Sequence, residues 1–357
     1  MGVDGSCTLT GGGRRFVPGA PYSAALSESP YIPVGCDPES ILLTFPVPRE
    51  FAGLRLDRFI QNRIPRLSRT RANEIVKACA YRQDGTRRRA SERVRAGEVV
   101  LLVRPPMNEP EAPLDFGVLY EDEHVLVVDK PAGLPMHPTA TYHKHTLTWL
   151  LKERYGADPP QFAHRLDRET SGVVICGKTR DMERALKNSF QYRHTEKTYL
   201  AVVHGAPPAT GLIDRDIAPV TDGLHVMMEV KPPGEGLSAV TTFRTLKAGE
   251  RYSLVELSPE TGRQHQLRVH LAHLGFPIVG DKLYGVEGPA PFLEYIETGM
   301  TPALARRLVL PRHALHAHAL SITHPVTGEP LHIRSPLPDE LDHLVRSVSG
   351  TPVGPDL

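Results

Sequence analysis

The 357-residue sequence has four cysteines, Cys7, Cys36, Cys79 and Cys176, and a single tryptophan. The cysteines lie far apart and form no CxxC pair, which argues against a disulfide framework or a zinc knuckle. The longest apolar runs, such as residues 99–103, have the length of a strand, whereas a membrane-spanning helix needs roughly 20 apolar residues. The first 40 residues also lack the apolar core of a secretory signal. The sequence therefore predicts a cytoplasmic protein without a membrane span.

Motifs for nucleotides and metals are missing as well. Neither GxxxxGK[ST] nor GxGxxG occurs, so a nucleotide cofactor has no support. Several histidines and Asp167 could offer metal ligands, but HExxH is absent and the histidine spacing matches no recognised metal site. Ser171 lies outside a GxSxG elbow, which disfavours a serine hydrolase. We expect neither a metal nor a cofactor.

Positive charge is concentrated in one part of the chain. Residues 51–104 contain 14 Lys and Arg but only 5 Asp and Glu, a net charge of +9, whereas the whole chain carries +1. Such a concentration is typical of a module that contacts phosphates. The alternative is a solvated surface with surplus arginine, and salt-sensitive RNA binding distinguishes the two. We therefore expect a nucleic-acid partner.

The basic window has the pattern of a small α/β domain. Leu56, Phe59, Ile60 and Ile64 recur at helical spacing, and Ser68 can cap a second helix that continues through Cys79. Residues 97–104 read as a strand after a glycine turn. The basic residues dispersed along these two helices are the candidate RNA contacts: Arg55, Arg58, Arg66, Arg69, Arg71 and Lys77.

Four prolines between Arg104 and Pro113 indicate an extended linker. The predicted organisation is a flexible tail over residues 1–40, an RNA-binding module over 41–104, a linker over 105–113, a catalytic domain over 114–347 and a tail over 348–357. In the catalytic domain, several strands joined by short turns alternate irregularly with helices near 147–155 and 182–192. This pattern predicts an α+β fold with a mixed, mostly antiparallel sheet.

Two dense polar clusters interrupt this domain. The first, HRLDRETSG at residues 164–172, directly precedes an apolar strand at 173–176, a place where sheets tend to present chemistry. The second, at residues 260–285, includes a predicted helix with Leu267, Leu271 and Leu274 on one face and Arg263, His265, Arg268 and His270 among its polar positions. From spacing alone, Asp167 could equally be structural, capping a helix or pairing with Arg165.

The ordered motifs resemble those of the RluA-type pseudouridine synthases. These are HRLDRETSG, KTY at residues 197–199, TGRQHQLRVH at 261–270 and GDKLYG at 280–285. The segments at 121–138 and 315–325 also match, so the resemblance covers nearly all of residues 114–338. The basic window resembles the alpha-L RNA-binding module that many members carry, although the match weakens over residues 81–94.

The resemblance implies a cofactor-free isomerisation of a uridine in RNA, in which the base is detached, turned and rejoined through C5. Asp167 matches the essential aspartate of the family and Arg268 its arginine partner. Tyr199 matches the tyrosine that stacks near the flipped base and is a catalytic candidate for helping C5 lose its proton. Arg165 matches an arginine implicated in base flipping, while His164 and Thr170 are expected to shape the loop or contact substrate. Because a desolvated carboxylate tends to become protonated, Asp167 requires a fixed cation.

Other functions remain open at this point. Ribosomal RNA is the favoured substrate and transfer RNA the alternative, with the protein expected to act as a monomer. A noncatalytic RNA-binding or ribosome-assembly protein would share the basic window but leave the motifs unexplained. An RNA N-glycosidase would release free uracil and leave an abasic site.

Overall fold

The computed structural model describes residues 32–65, 67–106, 108–139 and 141–349. The chain divides into two compact units, Met1–Met107 and Asn108–Leu357, so the division falls inside the proline-rich segment at 105–113. The second half of this segment is held by the larger unit, because the Glu109 carboxylate accepts the backbone N–H groups of His143, Lys144 and His145 at 2.8–2.9 Å. The prolines of the segment predicted an extended chain, but they did not predict these hydrogen bonds between Glu109 and residues 143–145.

The smaller unit combines two helices with a three-stranded antiparallel sheet in the order β1–β3–β2. Residues 32–40 contain no helix or strand, and residues 1–31 lie outside the described part of the chain. The elements are β1 (Ile41–Pro46), a 3-10 helix (Arg49–Phe51), α1 (Leu56–Arg63), α2 (Arg69–Cys79), β2 (Ala80–Tyr81) and β3 (Val99–Arg104).

The apolar stripe seen in the sequence forms the core of this unit. Leu56, Phe59 and Ile60 of α1 are fully buried, and they pack with α2 and the sheet. The Ser68 hydroxyl accepts the backbone N–H of Arg71 and caps α2 as the sequence predicts. Ile64, expected within α1, is its C-terminal cap.

The larger unit is an α+β domain with the mixed, mostly antiparallel sheet that the sequence predicts. Its strands are β4 (Gly117–Glu121), β5 (Val125–Lys130), β6 (Gln161–Phe162), β7 (Ser171–Gly177), β8 (Thr195–His204), β9 (Thr210–Asp214), β10 (Asp216–Pro219), β11 (Met228–Lys231), β12 (Val240–Lys247), β13 (Tyr252–Pro259), β14 (Leu315–Thr323) and β15 (Pro330–Arg334). Its helices are α3 (Leu147–Tyr155), α4 (Arg180–Gln191), α5 (Gln266–His273), α6 (Ala290–Thr298), α7 (Pro302–Leu308) and α8 (Asp339–Ser349).

Ten of these strands form one sheet with the main order β4–β5–β7–β14–β8–β13–β12–β9, while β15 pairs with β14 and β6 with β7. The pairing of β7 with β14 is parallel, and the other pairs are antiparallel. Strands β10 and β11 form a separate ribbon. Within the described ranges, no helix combines the length and apolar character needed to cross a membrane.

Two sequence expectations for this unit need correction. Arg263 and His265 precede α5 and do not lie on it, and Arg268 and His270 are buried and not on a polar surface. Both buried side chains have partners inside the protein, which helical periodicity cannot reveal. Helix α8 also continues to Ser349, two residues beyond the predicted end of the domain, and Val348 packs against the main core.

Strand register explains how distant segments meet. Gly172 of β7 is paired with Ala317 of β14, and Ala317 is paired in turn with Tyr199 of β8. A single row across the sheet therefore connects the strand that follows the 164–170 loop with the strand that carries Tyr199. Gly172 has φ +111°, and a Cβ at this position would lie 2.2 Å from the Ala317 carbonyl oxygen.

We expect Gly172→Ala to destabilise the larger unit by roughly 1–3 kcal/mol, because alanine disfavours this φ and its methyl group forces β7 away from β14. Calorimetry should show a lower Tm for the unit. Gly262→Ala is the control, since an added Cβ there meets open space. An unchanged Tm for Gly172→Ala would mean that the close β7–β14 approach does not constrain the fold.

Candidate functional site

The loop of residues 163–170, between β6 and β7, carries Asp167. The side chain of Lys130 holds this loop through a hydrogen bond to the Arg168 carbonyl oxygen. This lysine is fully buried at the end of β5. Its Nζ donates to the carbonyl oxygens of Pro131, Leu134 and Arg168 at 2.9, 2.9 and 3.0 Å. Burial lowers the pKa of Lys130 to about 7. The lysine thus ties the loop after β5 to the residue that follows Asp167.

Other side chains fix the same loop at both ends. His164 accepts the backbone N–H of Ile175 through Nε2 at 3.2 Å, and its ring stacks on Phe190 at 4.6 Å. Burial lowers the pKa of His164 to about 3, so the imidazole is neutral. At the other end, the Thr170 hydroxyl lies 2.8 Å from Nε2 of His313. Nε2 of His164 and the Thr170 hydroxyl are thereby engaged with the protein itself.

A buried ion-pair chain lies at the centre of the site. Arg268 of α5 donates from Nη1 to Oδ2 of Asp167 at 2.9 Å. On its other side, Nε and Nη2 donate to the two carboxylate oxygens of Asp281 at 2.7 and 2.9 Å. Exposed fractions of the side chains rise from 0% for Asp281 through 7% for Arg268 to 20% for Asp167. The chain therefore runs from the interior to an open carboxylate.

Two opposing effects act on the pKa of Asp167. Burial, the largest single effect, raises it, but the charge and the hydrogen bond of Arg268, acting together with His265 and His313, hold the pKa below its usual range. The pKa of Asp281 is also low, because the charge and hydrogen bonds of Arg268, together with His313 and the Tyr284 backbone N–H, offset the large effect of burial. Both carboxylates are consequently ionised at neutral pH while sharing one guanidinium, and the exposed one is Asp167.

His265 and Tyr284 complete the surroundings of this pair. His265 has a left-handed backbone, φ 56° and ψ 13°, which is uncommon outside glycine. Its Nδ1 lies 2.8 Å from the Tyr284 hydroxyl, and its Nε2 lies 3.9 Å from Oδ2 of Asp167. Burial lowers the pKa of His265 to about 4, so this neighbour is neutral. The guanidinium of Arg268 also sits 5.1 Å from the Tyr284 ring centre.

Asp167 opens into a first cavity of about 650 Å³ that Tyr199 also lines. The Tyr199 ring packs against the cores on either side of it, and its hydroxyl makes no hydrogen bond within the described ranges. Burial, reinforced by the negative Asp167, raises the pKa of Tyr199. A protonated, unpartnered phenol thus faces the same space as an ionised carboxylate.

Arg165 lies at the rim of this space. Its side chain is exposed and lines the first cavity. It forms no ion pair with any residue that the structure describes, and Asp167 is paired with Arg268 in its place. The structural alternative of an Arg165–Asp167 pair is therefore absent from the described site, and the arginine is available to a ligand.

Sequence reasoning found Asp167, Tyr199 and Arg268, which the fold brings together, but it did not assign Lys130, His265 or Asp281. The signal for Asp281 was available in the GDKLYG motif. Asp281 binds Arg268, Lys282 donates to both oxygens of Glu169 at 2.9 and 3.0 Å, and Tyr284 holds His265. These three polar residues lie in a buried segment and have no role at the surface. Such residues indicate support for a nearby charge.

The smaller unit presents its candidate RNA contacts in different ways. Arg58, Arg69 and Lys77 are exposed. Arg71 is exposed too and pairs with Glu74 on the same helix at 3.0 Å, whereas Arg55 binds both oxygens of the buried Asp57. Arg66 lies outside the described residues. Across the described parts of both units, no group of three or more His, Cys, Asp or Glu side chains is arranged for a metal ion.

Comparisons with known proteins identify pseudouridine synthases. The family described as RNA pseudouridylate synthase matches residues 124–273. The chain is 36% identical over 310 residues to ribosomal large subunit pseudouridine synthase D of Xanthomonas campestris, covering 85% of this chain and 91% of that protein. It is 37% identical over 313 residues to the protein of the same name from Xylella fastidiosa, with the same coverages. The solved structure of Human RNA Pseudouridylate Synthase Domain Containing 4 superposes with a TM-score of 0.50 at 30% identity, covering 64% of this chain and 93% of that chain.

We expect Asp281→Ala to lower the free energy of unfolding of the larger unit by roughly 3–5 kcal/mol, because it leaves the buried Arg268 with one carboxylate in place of two. Urea denaturation followed by tryptophan fluorescence measures this, since Trp149 lies in α3 of the same unit. Glu287→Ala is the control, because it removes an exposed ion pair with Arg307. Equal denaturation midpoints for the two variants would show that Asp281 does not anchor the arginine.

Proposed function

This chain belongs to the RNA pseudouridylate synthase family, and we propose that it isomerises a uridine of ribosomal RNA to pseudouridine. The observation that carries the proposal is an ionised, partly exposed Asp167, paired with Arg268 and facing a cavity shared with Tyr199. The printed names of the two bacterial relatives favour RNA of the large ribosomal subunit. Transfer RNA is the alternative substrate.

The reaction leaves the elemental composition of the uridine unchanged. The bond between N1 and the sugar carbon C1′ breaks, the uracil turns, and C5 bonds to the same C1′. The hydrogen on C5 is lost as a proton, and N1 of the rotated base gains one. Because departure of the base leaves positive charge developing on the sugar, a carboxylate beside C1′ lowers the barrier. Asp167 supplies that charge whether it stabilises the sugar, bonds to it or removes a proton.

The surroundings of Asp167 favour this reaction over hydrolysis. A glycoside hydrolase of the usual type uses two carboxyl groups, one as a general acid. Asp281 is fully buried, ionised and bound to Arg268, and Glu169 is bound by Lys282 with its pKa lowered, so neither can serve as that acid. Glu260 also lines the first cavity, but it pairs with Arg193 at 3.5 Å. Because each neighbouring carboxylate is paired with a cation, the site suits an isomerase and disfavours the N-glycosidase.

For Tyr199, the raised pKa supports a positioning role on the flipped base. A phenol that remains protonated can stack and donate a hydrogen bond, but it is a poor acceptor for the C5 proton. We therefore propose that Tyr199 orients the detached uracil. Tyr199→Phe keeps the aromatic ring, so it should retain stacking and still form product. Loss of product with retained RNA binding would instead favour the proton-transfer role.

Capture of RNA is assigned to the remaining candidates. Arg165 forms no ion pair within the described residues, and we propose that it fills the space left when the target base is flipped out. His164 and Thr170 shape the loop. The smaller unit is proposed as an alpha-L-type RNA-binding module whose exposed contacts are Arg58, Arg69, Arg71 and Lys77, with Arg55 and Arg66 as further candidates. We propose that the protein acts as a cytoplasmic monomer.

The first functional prediction concerns Asp167→Asn. This variant keeps the shape of the side chain but loses its charge, so it should bind RNA with unchanged affinity and form no pseudouridine. Position-resolved pseudouridine mapping of ribosomal and transfer RNA, in cells with the native protein and with the variant, measures the result. Undiminished pseudouridine in the variant cells would refute the enzyme assignment, and free uracil with abasic sites in the native cells would indicate the glycosidase.

The second prediction concerns Arg268→Lys. Lysine keeps a charge but cannot hold Asp281 and Asp167 with a planar fork, so burial should raise the pKa of Asp167. Because activity requires the ionised carboxylate, the acid limb of the kcat/KM profile should move to higher pH, with a lower plateau. Arg307→Lys, at an exposed ion pair, is the control. An unshifted acid limb would mean that Arg268 does not set the ionisation of Asp167.

A further inference from the structure

A second cavity, of about 430 Å³, adjoins the first and shares the lining residue Asp167 with it. Arg165, Asp167, His265 and Arg268 line both cavities, whereas Tyr199 lines the first and not the second. The proposed chemistry places one flipped uracil beside Tyr199. The adjoining space has no role in that step, although it opens onto the same carboxylate.

Aromatic side chains form one wall of the second cavity. Phe292 and Tyr295 lie three residues apart on α6, which places them on one face of that helix. His137 lines the cavity from the segment after β5. Flat aromatic rings that line a cavity suit the faces of nucleobases, which stack on such side chains with little regard to sequence.

Positive side chains outnumber carboxylates in the lining of the same cavity. Arg165, Arg168, Arg268 and Lys282 line it, against the carboxylates of Asp167 and Glu169. Lys282 and Arg168 also approach the Tyr295 ring centre at 5.3 and 6.0 Å, which fixes that ring beside the charges. A surplus of cations next to aromatic rings is the combination that binds single-stranded nucleic acid.

We propose that the second cavity holds the base of a nucleotide directly adjacent to the target uridine, stacked against Tyr295 and Phe292. The inference rests on the proposed function, because it assumes that the target uracil occupies the first cavity. Arg165 lines both cavities, so the side chain proposed to fill the vacated space lies next to both bases. The site therefore recognises a pair of flipped nucleotides.

The test combines variants with altered RNA. The probe is a short RNA hairpin containing the uridine identified by mapping, prepared intact and with an abasic ribose on its 5′ or 3′ side. Affinity and single-turnover rate are measured for the full-length native protein, for Tyr295→Leu, which keeps apolar bulk without the ring, and for Ile296→Ala. Ile296 is the matched control, because it is exposed on α6 and does not line the cavity.

Tyr295→Leu should bind the intact hairpin roughly 5- to 100-fold more weakly, the loss expected from one base–aromatic stack. The native protein should bind one of the two abasic hairpins more weakly than the intact hairpin by a similar factor. Tyr295→Leu should show no further loss of affinity for that abasic hairpin. Ile296→Ala should behave as the native protein does. Two results would overturn the proposal. In one, Tyr295→Leu weakens the binding of both abasic hairpins by the same further factor as it weakens binding of the intact hairpin. In the other, the native protein binds both abasic hairpins as tightly as the intact one.

Failure of the proposed function gives a different result. If the native protein forms no pseudouridine in any RNA, the reaction is refuted. The affinities of the native protein and Tyr295→Leu for intact and abasic RNA are then measured with a hairpin of large-subunit ribosomal RNA. Coupling between Tyr295 and one neighbouring base would still support a base pocket. Its absence there would reject the pocket together with the reaction.

Discussion

One guanidinium shared by two carboxylates organises the site. Asp281 is fully buried and binds Arg268 through two hydrogen bonds, which leaves the third donor of the arginine fixed toward Asp167. A buried ion pair contributes little net stability, since desolvation offsets much of its attraction. Its value here is positional, because it places a permanent positive charge next to a carboxylate that burial would otherwise protonate.

Scaffold contacts give this arrangement its rigidity. Lys130 ties the Asp167 loop to the end of β5, and Lys282 ties it through Glu169 to the segment that follows Asp281. The row from Gly172 through Ala317 to Tyr199 sets where the phenol lies relative to the loop. A carboxylate held in this way needs no reorganisation when charge develops on a sugar, and such preorganisation is a large part of enzymatic rate enhancement.

Much of this site could be predicted from the sequence, for reasons that differ between residues. Local patterns identify α1, the Ser68 cap and strand β7, because helical and strand periodicities reflect burial of one face. Asp167, Tyr199 and Arg268 were found through ordered motifs. The anchoring by Asp281, the Glu109 contact with residues 143–145 and the second cavity beside α6 depend on contacts between distant segments, which periodicity does not encode. Burial of Arg268 and His270 was missed for the same reason.

The central claim is that Arg268, held by Asp281, keeps Asp167 ionised in the folded protein. Direct titration of the Asp167 carboxyl carbon by NMR, in full-length protein with ¹³C-labelled aspartate and Asp167→Asn for assignment, measures this. The account predicts that the resonance remains that of a carboxylate down to pH values below about 3.9, the ordinary pKa of an aspartate. A protonation midpoint above that value would contradict it, because burial would then outweigh the arginine.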